Sequence, residues 1–258
     1  MGVGRAPAED PSYEGDLSAS ALRAALGDRP LRTYPALLST EADALAWARA
    51  GAPAGAVVVA DYQASPRGRA GQPWQVRPGE GLGFSLVLRP DLPAEREGWL
   101  YVAATVGLAD VVGADAAVGW PDEVSVAGSR KAAVGMHVEL GHSAVAWAVV
   151  TFLAADAGPP RGDLLAALVR AVERRVAASS DQVLADYLPC CATLGRHVRA
   201  RMIPLGPSGP QVVGRAVDVR ADGALVVTTE RGVRVAVHPQ HLGVLQDIGG
   251  EGGAPLTG

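Results

Sequence analysis

The run Ala56-Val57-Val58-Val59-Ala60-Asp61-Tyr62-Gln63-Ala64-Ser65-Pro66-Arg67-Gly68-Arg69-Ala70-Gly71-Gln72-Pro73-Trp74 changes character at its middle. Residues 56–62 carry three consecutive valines and predict a buried strand, because β-branched side chains fit a pleated, covered surface. Residues 63–83 then form a long loop rich in Gly, Arg and Pro. Arg67-Gly68-Arg69 sets two guanidinium groups beside a backbone that a ligand can approach closely. Arginine forks and glycine N–H groups together suit anions.

Outward from this stretch the elements alternate. Upstream, residues 16–27 predict a helix capped by Asp16, 31–38 a strand, and 41–50 a second helix. Thr40 and Asp43 have capping-box spacing at the start of that second helix. Downstream, 84–88 predict a strand and 99–112 an apolar helix. Four more strands follow at 118–120, 123–127, 134–140 and 144–153, with Gly128-Ser129-Arg130 as a hairpin tip. Asp163 is read as the cap of a helix running to 178, and 181–191 as another. After Gly195 the texture becomes short strands (198–203, 211–219, 224–229, 232–237) broken by Pro and Gly turns, the pattern of a small β-barrel. His238 and His241 fall after the last of these. Antiparallel strands grouped apart from helices indicate an α+β fold with a mixed sheet. The expected division is an arm over 1–15, a main domain over 16–194, a β-domain over 195–247 and a tail over 248–258.

Composition excludes several classes. The chain has 258 residues, 48% hydrophobic and 19% charged, too apolar for overall disorder. No apolar run reaches the roughly 20 residues that span a bilayer, and residues 1–10 lack the apolar core of a secretory signal. A net charge of −4 and a pI near 5.7 offer no strong positive field, so no nucleic-acid partner is expected. Cys190 and Cys191 are adjacent, which predicts no disulfide framework and a reducing, cytoplasmic location. Of the 23 basic residues, Lys131 is the sole lysine, which marks it as a candidate for chemistry. His137 and Glu139, with Pro189-Cys190-Cys191, lack the Pro-Cys-x-x-Cys of a zinc deaminase and are read as structural.

The loop resembles the biotin-binding loop of biotin protein ligases. That pattern has an acid, any residue, Gln, two further residues, then Gly-Arg-Gly-Arg-x-Gly and a Trp three residues on. Here Asp61, Gln63, Arg67, Gly68, Arg69, Gly71 and Trp74 fall at that spacing, with Pro66 in place of the first glycine. Four further features follow in family order. They are Ser39-Thr40 before the second helix, Trp120-Pro121-Asp122-Glu123 for Lys-Trp-Pro-Asn-Asp, Arg130-Lys131 with Gly135 for Arg-Lys-Leu-Ala-Gly, and the run from Tyr187 to Arg199 for the hinge into an SH3-like domain.

The resemblance implies a biotin/lipoate ligase-like core with a C-terminal SH3-like β-barrel. It implies a ligase without a DNA-binding domain that uses ATP, Mg²⁺ and biotin and acts on a biotin carboxyl carrier domain. A homodimer through sheet edges is compatible with it. By position, Ser39, Thr40, Gln63, Arg67, Gly68, Arg69, Gly71, Trp74, Trp120, Asp122 and Gly135 would line the biotin and adenylate site. Lys131, Arg67 and Arg69 would act on the reacting groups, and Asp122 and Glu123 would bind Mg²⁺. The chain departs from the pattern at Gly119, Asp122 and Glu123. It departs again at Val149-Val150-Thr151-Phe152-Leu153, where the family has Gly-x-Gly-Ile-Asn. These departures support a second reading, a ligase-like protein that binds biotin or another small carboxylate or adenylate without catalysis.

Overall fold

The computed structural model describes residues 14–158, 160–206 and 208–249. The predicted arm and tail lie almost wholly outside them. The first part of the chain forms α1 (Ala19–Leu26), β1 (Leu31–Leu37), α2 (Thr40–Arg49), β2 (Val57–Gln63), β3 (Leu82–Leu88) and α3 (Trp99–Val112). It continues with β4 (Ala116–Gly119), β5 (Glu123–Val126), β6 (Ser129–Leu140), β7 (Val145–Ala154), α4 (Arg161–Ala177) and α5 (Ser180–Cys190). Seven strands make one sheet in the order β1-β2-β3-β7-β6-β5-β4. The β1–β2 pair is parallel and the other pairings are antiparallel, so the sheet is mixed.

Alternation along the strands sorts the sheet into two faces. Val57, Val59, Phe84, Leu86, Val134, Val150 and Phe152 turn to one core with α3 and α4, where Phe84 and Phe152 stack at 4.9 Å. Val58, Val87, Trp147 and Val149 turn to a smaller core closed by Ala44 and Ala48 of α2. Helix α3 is buried around its whole circumference from Trp99 to Ala109, as its uniformly apolar sequence requires. It lies close on α4: a Cβ on Gly107 would stand 3.0 Å from Val172 Cα. Among the described residues no helix is long and apolar enough to cross a membrane.

Several local expectations are corrected. Ser39, not Thr40, is the N-cap of α2, and Thr40 is its first residue, with the side chain bonded away from the helix. Asp163 lies inside the first turn of α4, whose cap is Pro160. The Arg161 N–H there is taken by the Asp16 carboxylate (2.8 Å), a long-range partner no local pattern reveals. Asp16 therefore does not cap α1, a role Ser18 fills. The β5–β6 turn is Ala127-Gly128, both at positive φ, so Ser129 and Arg130 already belong to β6.

The second part is an antiparallel sheet of five strands: β8 (His197–Met202), β9 (Gln211–Val219), β10 (Leu225–Thr228), β11 (Arg234–Val237) and β12 (Leu242–Asp247), in the order β11-β10-β9-β8-β12. Strand β12 follows His238 and His241, so these histidines precede the last strand rather than trail it. Its identity comes from pairing Leu242 with Met202 and Leu245 with Ala200 across β8. Cys190 and Cys191 are both free thiols.

Candidate active site

The site forms on the α2 face of the sheet, where the start of α2, the end of β2 and the loop after it meet β3, β7 and β6. A chain of buried polar groups starts at Gln63. Its Oε1 accepts from the Thr40 N–H (2.9 Å) and from the Thr40 hydroxyl (3.2 Å). Ser85 Oγ donates to Thr40 Oγ1 (3.0 Å) and lies 2.8 Å from Thr151 Oγ1. Gly83 gives Gln63 its space, since a Cβ there would stand 2.2 Å from Gln63 Nε2. That Nε2 is buried and has no partner among the described residues. A buried N–H₂ without an acceptor costs free energy, so its geometry asks for a ligand oxygen. Leu153 lines the same spot, 3.5 Å from the position of that Gly83 Cβ.

The Arg67–Trp74 loop lies across β6. A Cβ on Gly135 would meet Gly68 C at 3.3 Å and Arg67 O at 3.4 Å, so Gly135 allows this approach. The loop closes on itself: Gly68 N donates to Gln72 O (2.8 Å), Gly71 N to Gly68 O (3.2 Å) and Trp74 N to Pro66 O (3.2 Å). The expectation that glycine frees these N–H groups for an anion is therefore not met in this conformation. Arg67 is exposed and folds back on Ser65 Oγ (3.1 Å) and the Gly71 carbonyl (3.2 Å).

Arg69 is buried. Its Nε lies 3.1 Å from Asp122 Oδ1, and Nη1 donates to the Leu242 carbonyl at 2.6 Å. Trp120 is likewise turned to the β-domain, its indole N–H donating to the Gly223 carbonyl (2.9 Å) and its backbone N–H to Thr193 Oγ1 (2.9 Å). Both residues stitch the two sheets together.

A cavity of about 330 Å³ opens between the loop and the β5–β6 hairpin. Gly68, Arg69, Trp74, Asp122, Glu123 and Arg130 line it, with Ala133 as floor. Trp74 lies under the Arg130 guanidinium, 4.1 Å from ring centroid to Cζ. Arg130 Nη1 is 2.6 Å from Glu123 Oε1. Burial pushes the Asp122 and Glu123 carboxyls up from their ordinary range, and Arg69 and Arg130 pull them partly back. Each acid is thus already paired with an arginine, and among the described residues no group of three metal-ligating side chains comes together. The pair does not fit a protein-held Mg²⁺.

Of the residues singled out by sequence, the structure brings Gly68, Arg69, Trp74, Asp122 and Glu123 around one cavity, with Gly135 beneath the loop. Ser39, Thr40 and Gln63 stand apart from that cavity, and Thr40 and Gln63 share the polar chain. Lys131 is exposed and does not line the cavity, whereas its neighbour Arg130 does. The signal for Arg130 was its spacing of seven residues from Glu123. Ser85 carried no signal, and Thr151 only that of a departure from the family pattern, because their roles arise from strand pairing.

No family model matches the chain. Among solved structures, a biotin protein ligase from Aquifex aeolicus in complex with biotin and ATP superposes with a TM-score of 0.63. It is 19% identical, covering 84% of this chain and 99% of that one. A biotin protein ligase-like protein of unknown function from Silicibacter sp. TM1040 gives 0.61 at 14% identity, covering 82% and 95%. At these identities the likeness establishes the fold. In sequence, the bifunctional ligase/repressor BirA of Bacillus subtilis is 34% identical over 111 residues, 42% of this chain and 34% of its own. The biotin–[acetyl-CoA-carboxylase] ligase of Mycobacterium tuberculosis is 30% identical over 241 residues, 83% of this chain and 89% of its own. With that coverage at that identity, on a matching fold, the chain belongs to the biotin–[acetyl-CoA-carboxylase] ligase family.

Proposed function

We propose that the protein is an ATP-dependent biotin–protein ligase. It makes biotinyl-5′-adenylate and then passes the biotinyl group to a lysine of a biotin carboxyl carrier domain. In the first step a carboxylate oxygen of biotin bonds to the α-phosphorus of ATP. The bond from that phosphorus to the bridging oxygen breaks, and pyrophosphate leaves with the electron pair. In the second step the carrier amine attacks the acyl carbon, AMP leaves, and the amine's proton passes to solvent.

The observation that carries the biotin part is Gln63. Its Nε2 is a buried donor beside Gly83 and Leu153, where a ureido carbonyl would supply the missing acceptor, and its Oε1 is held by Thr40. The nucleotide part is supported by the cavity beside Trp74, with an indole to stack a base and cations at its wall. Mg²⁺ commonly keeps its waters and takes substrate phosphates as ligands, and the paired acids 122 and 123 give no reason to route a step through a protein-bound ion. Localisation in the cytoplasm and the carrier as partner belong to the same reading.

The test is biotin-dependent exchange of pyrophosphate into ATP, with Gln63→Leu as the comparison. Exchange by the wild type and its loss in the variant support the reading. Stabilisation by biotin without exchange would show a binding protein instead.

A further inference from the structure

The β5–β6 hairpin contains a register shift. Val124 pairs with Ala132, yet the next residue, Ser125, pairs with Arg130. Lys131 is the extra residue of a β-bulge and is skipped in the pairing of β6 with β5. A bulge re-aims the side chains that follow it. In an unbroken strand, residues 133 and 131 would share a face and 130 would point to the opposite one. The bulge cancels one step of that alternation: Ala133 and Arg130 line the same cavity, Ala132 is buried in the core, and Lys131 is exposed.

Each arginine near the loop already has partners within the protein, and what separates them is position. Arg69 is bound to Asp122 and to a carbonyl of β12, and Arg67 is exposed and folded onto Ser65 and Gly71. Arg130 stands at the cavity wall over the Trp74 ring, its guanidinium held by Glu123.

We propose that Arg130, and not the solitary Lys131, is the cation that contacts the nucleotide phosphates in this ligase. The inference rests on the ligase reading above and assigns a residue within it. A guanidinium offers two phosphate oxygens a planar fork and carries its charge at any working pH, where an ammonium offers a point charge. The phosphate would compete with the Glu123 carboxylate for that fork. As the bond from the α-phosphorus to the bridging oxygen breaks, charge gathers on the departing pyrophosphate, and a cation fixed at the cavity wall stabilises it more than it stabilises bound ATP.

The experiment measures two quantities on purified full-length protein: biotin-dependent ATP–pyrophosphate exchange, and ATP affinity from Trp74 fluorescence quenching read against Trp74→Phe. Variants are Arg130→Gln, Arg130→Lys and Lys131→Ala, each checked for an unchanged circular dichroism spectrum and melting temperature. Arg130→Gln is expected to lower the exchange rate by roughly a hundredfold, at the scale of one lost charge-stabilising group. Arg130→Lys should restore part of it, and Lys131→Ala should stay within about twofold. A hundredfold loss in Lys131→Ala with Arg130→Gln near wild type overturns the assignment. If the wild type binds ATP but shows no exchange, the ligase reading fails while the Arg130 contact is still decided. Weakened ATP binding in Arg130→Gln then supports the contact, and unchanged binding overturns it. A wild type that neither exchanges nor binds ATP overturns both. Should Arg130→Gln not fold, Arg130→Lys decides alone: a shift in exchange or ATP affinity supports the contact, and no shift in either overturns it.

Discussion

At the scale of single residues, the polar groups of the site do two separate jobs. Gln63 is held at its oxygen and offers its nitrogen. Replacing it with leucine removes both, so biotin affinity should fall by about tenfold or more in calorimetric titration, the loss of one or two buried hydrogen bonds. Arg161 shows the structural use of charge. Its guanidinium is 3% exposed and bonds Asp16, Asp61 and the Gly81 carbonyl. Hydrogen bonding to Arg161 holds the Asp16 carboxyl below its ordinary range, against the opposing effect of burial. A depressed carboxylate contributes stability that is fully present above its unfolded value and is lost as pH falls through its folded value. Asp16→Asn should therefore cost about 1–3 kcal/mol near neutral pH, with the gap to wild type closing below about pH 4. Urea denaturation at several pH values measures this. A gap that stays constant down to pH 3 would remove the carboxylate from the explanation.

At the scale of elements, the loop and the strand under it are one unit. Gly135 is buried in β6 with Gly68 above it at a distance that leaves a methyl group little room. Gly135→Ala should lift the Arg67–Trp74 loop by a few tenths of an ångström. The fold loses little, because β6 stays paired to β7, Gly135 lying opposite Thr151. The expected result is a melting temperature within a few degrees of wild type and adenylation slowed by about tenfold to a hundredfold, the cost of misplacing a binding group. Equal loss of stability and activity would point instead to general disruption of the sheet. The short turn at Ala127-Gly128 and the bulge at Lys131 belong to the same scale: together they set which side of β6 each basic residue occupies.

At the scale of the whole molecule, the two sheets are joined through side chains donating to backbone carbonyls. Arg69 reaches β12, Trp120 reaches Gly223, and Arg96 donates to the Ala221 carbonyl from Nε (3.0 Å) and Nη2 (2.9 Å). Gly223, at φ +83°, touches the Gly98 backbone so closely that a Cβ would lie 2.2 Å from Gly98 O. Gly223→Ala should thus push the β-domain off the entry to α3, costing about 1–3 kcal/mol. It should also expose the 191–197 connection to proteolysis at low protease concentration. Arg69→Ala leaves the Asp122 carboxylate buried and unpaired, and about 3–5 kcal/mol is expected from such a break, read as a fall in urea midpoint. Because Arg69 also walls the cavity, the same variant should weaken nucleotide binding, so docking and chemistry share this residue.

The α+β order of elements, the loop that carries the family pattern and the short strands of the second sheet were legible from the chain alone, because they follow from local periodicity, turn residues and spacing. The side-chain assignments were decided by tertiary structure. Arg69 lines the cavity as its loop position suggests, but it is also buried against β12, whose strand character itself depends on pairing with β8. Lys131 was singled out by being the sole lysine, yet one extra residue in a hairpin turned it outward and brought Arg130 in. The physical reason is that a strand's side chains alternate with period two. Which residue faces a cavity therefore depends on cross-strand register, and register is set by residues far away in the chain.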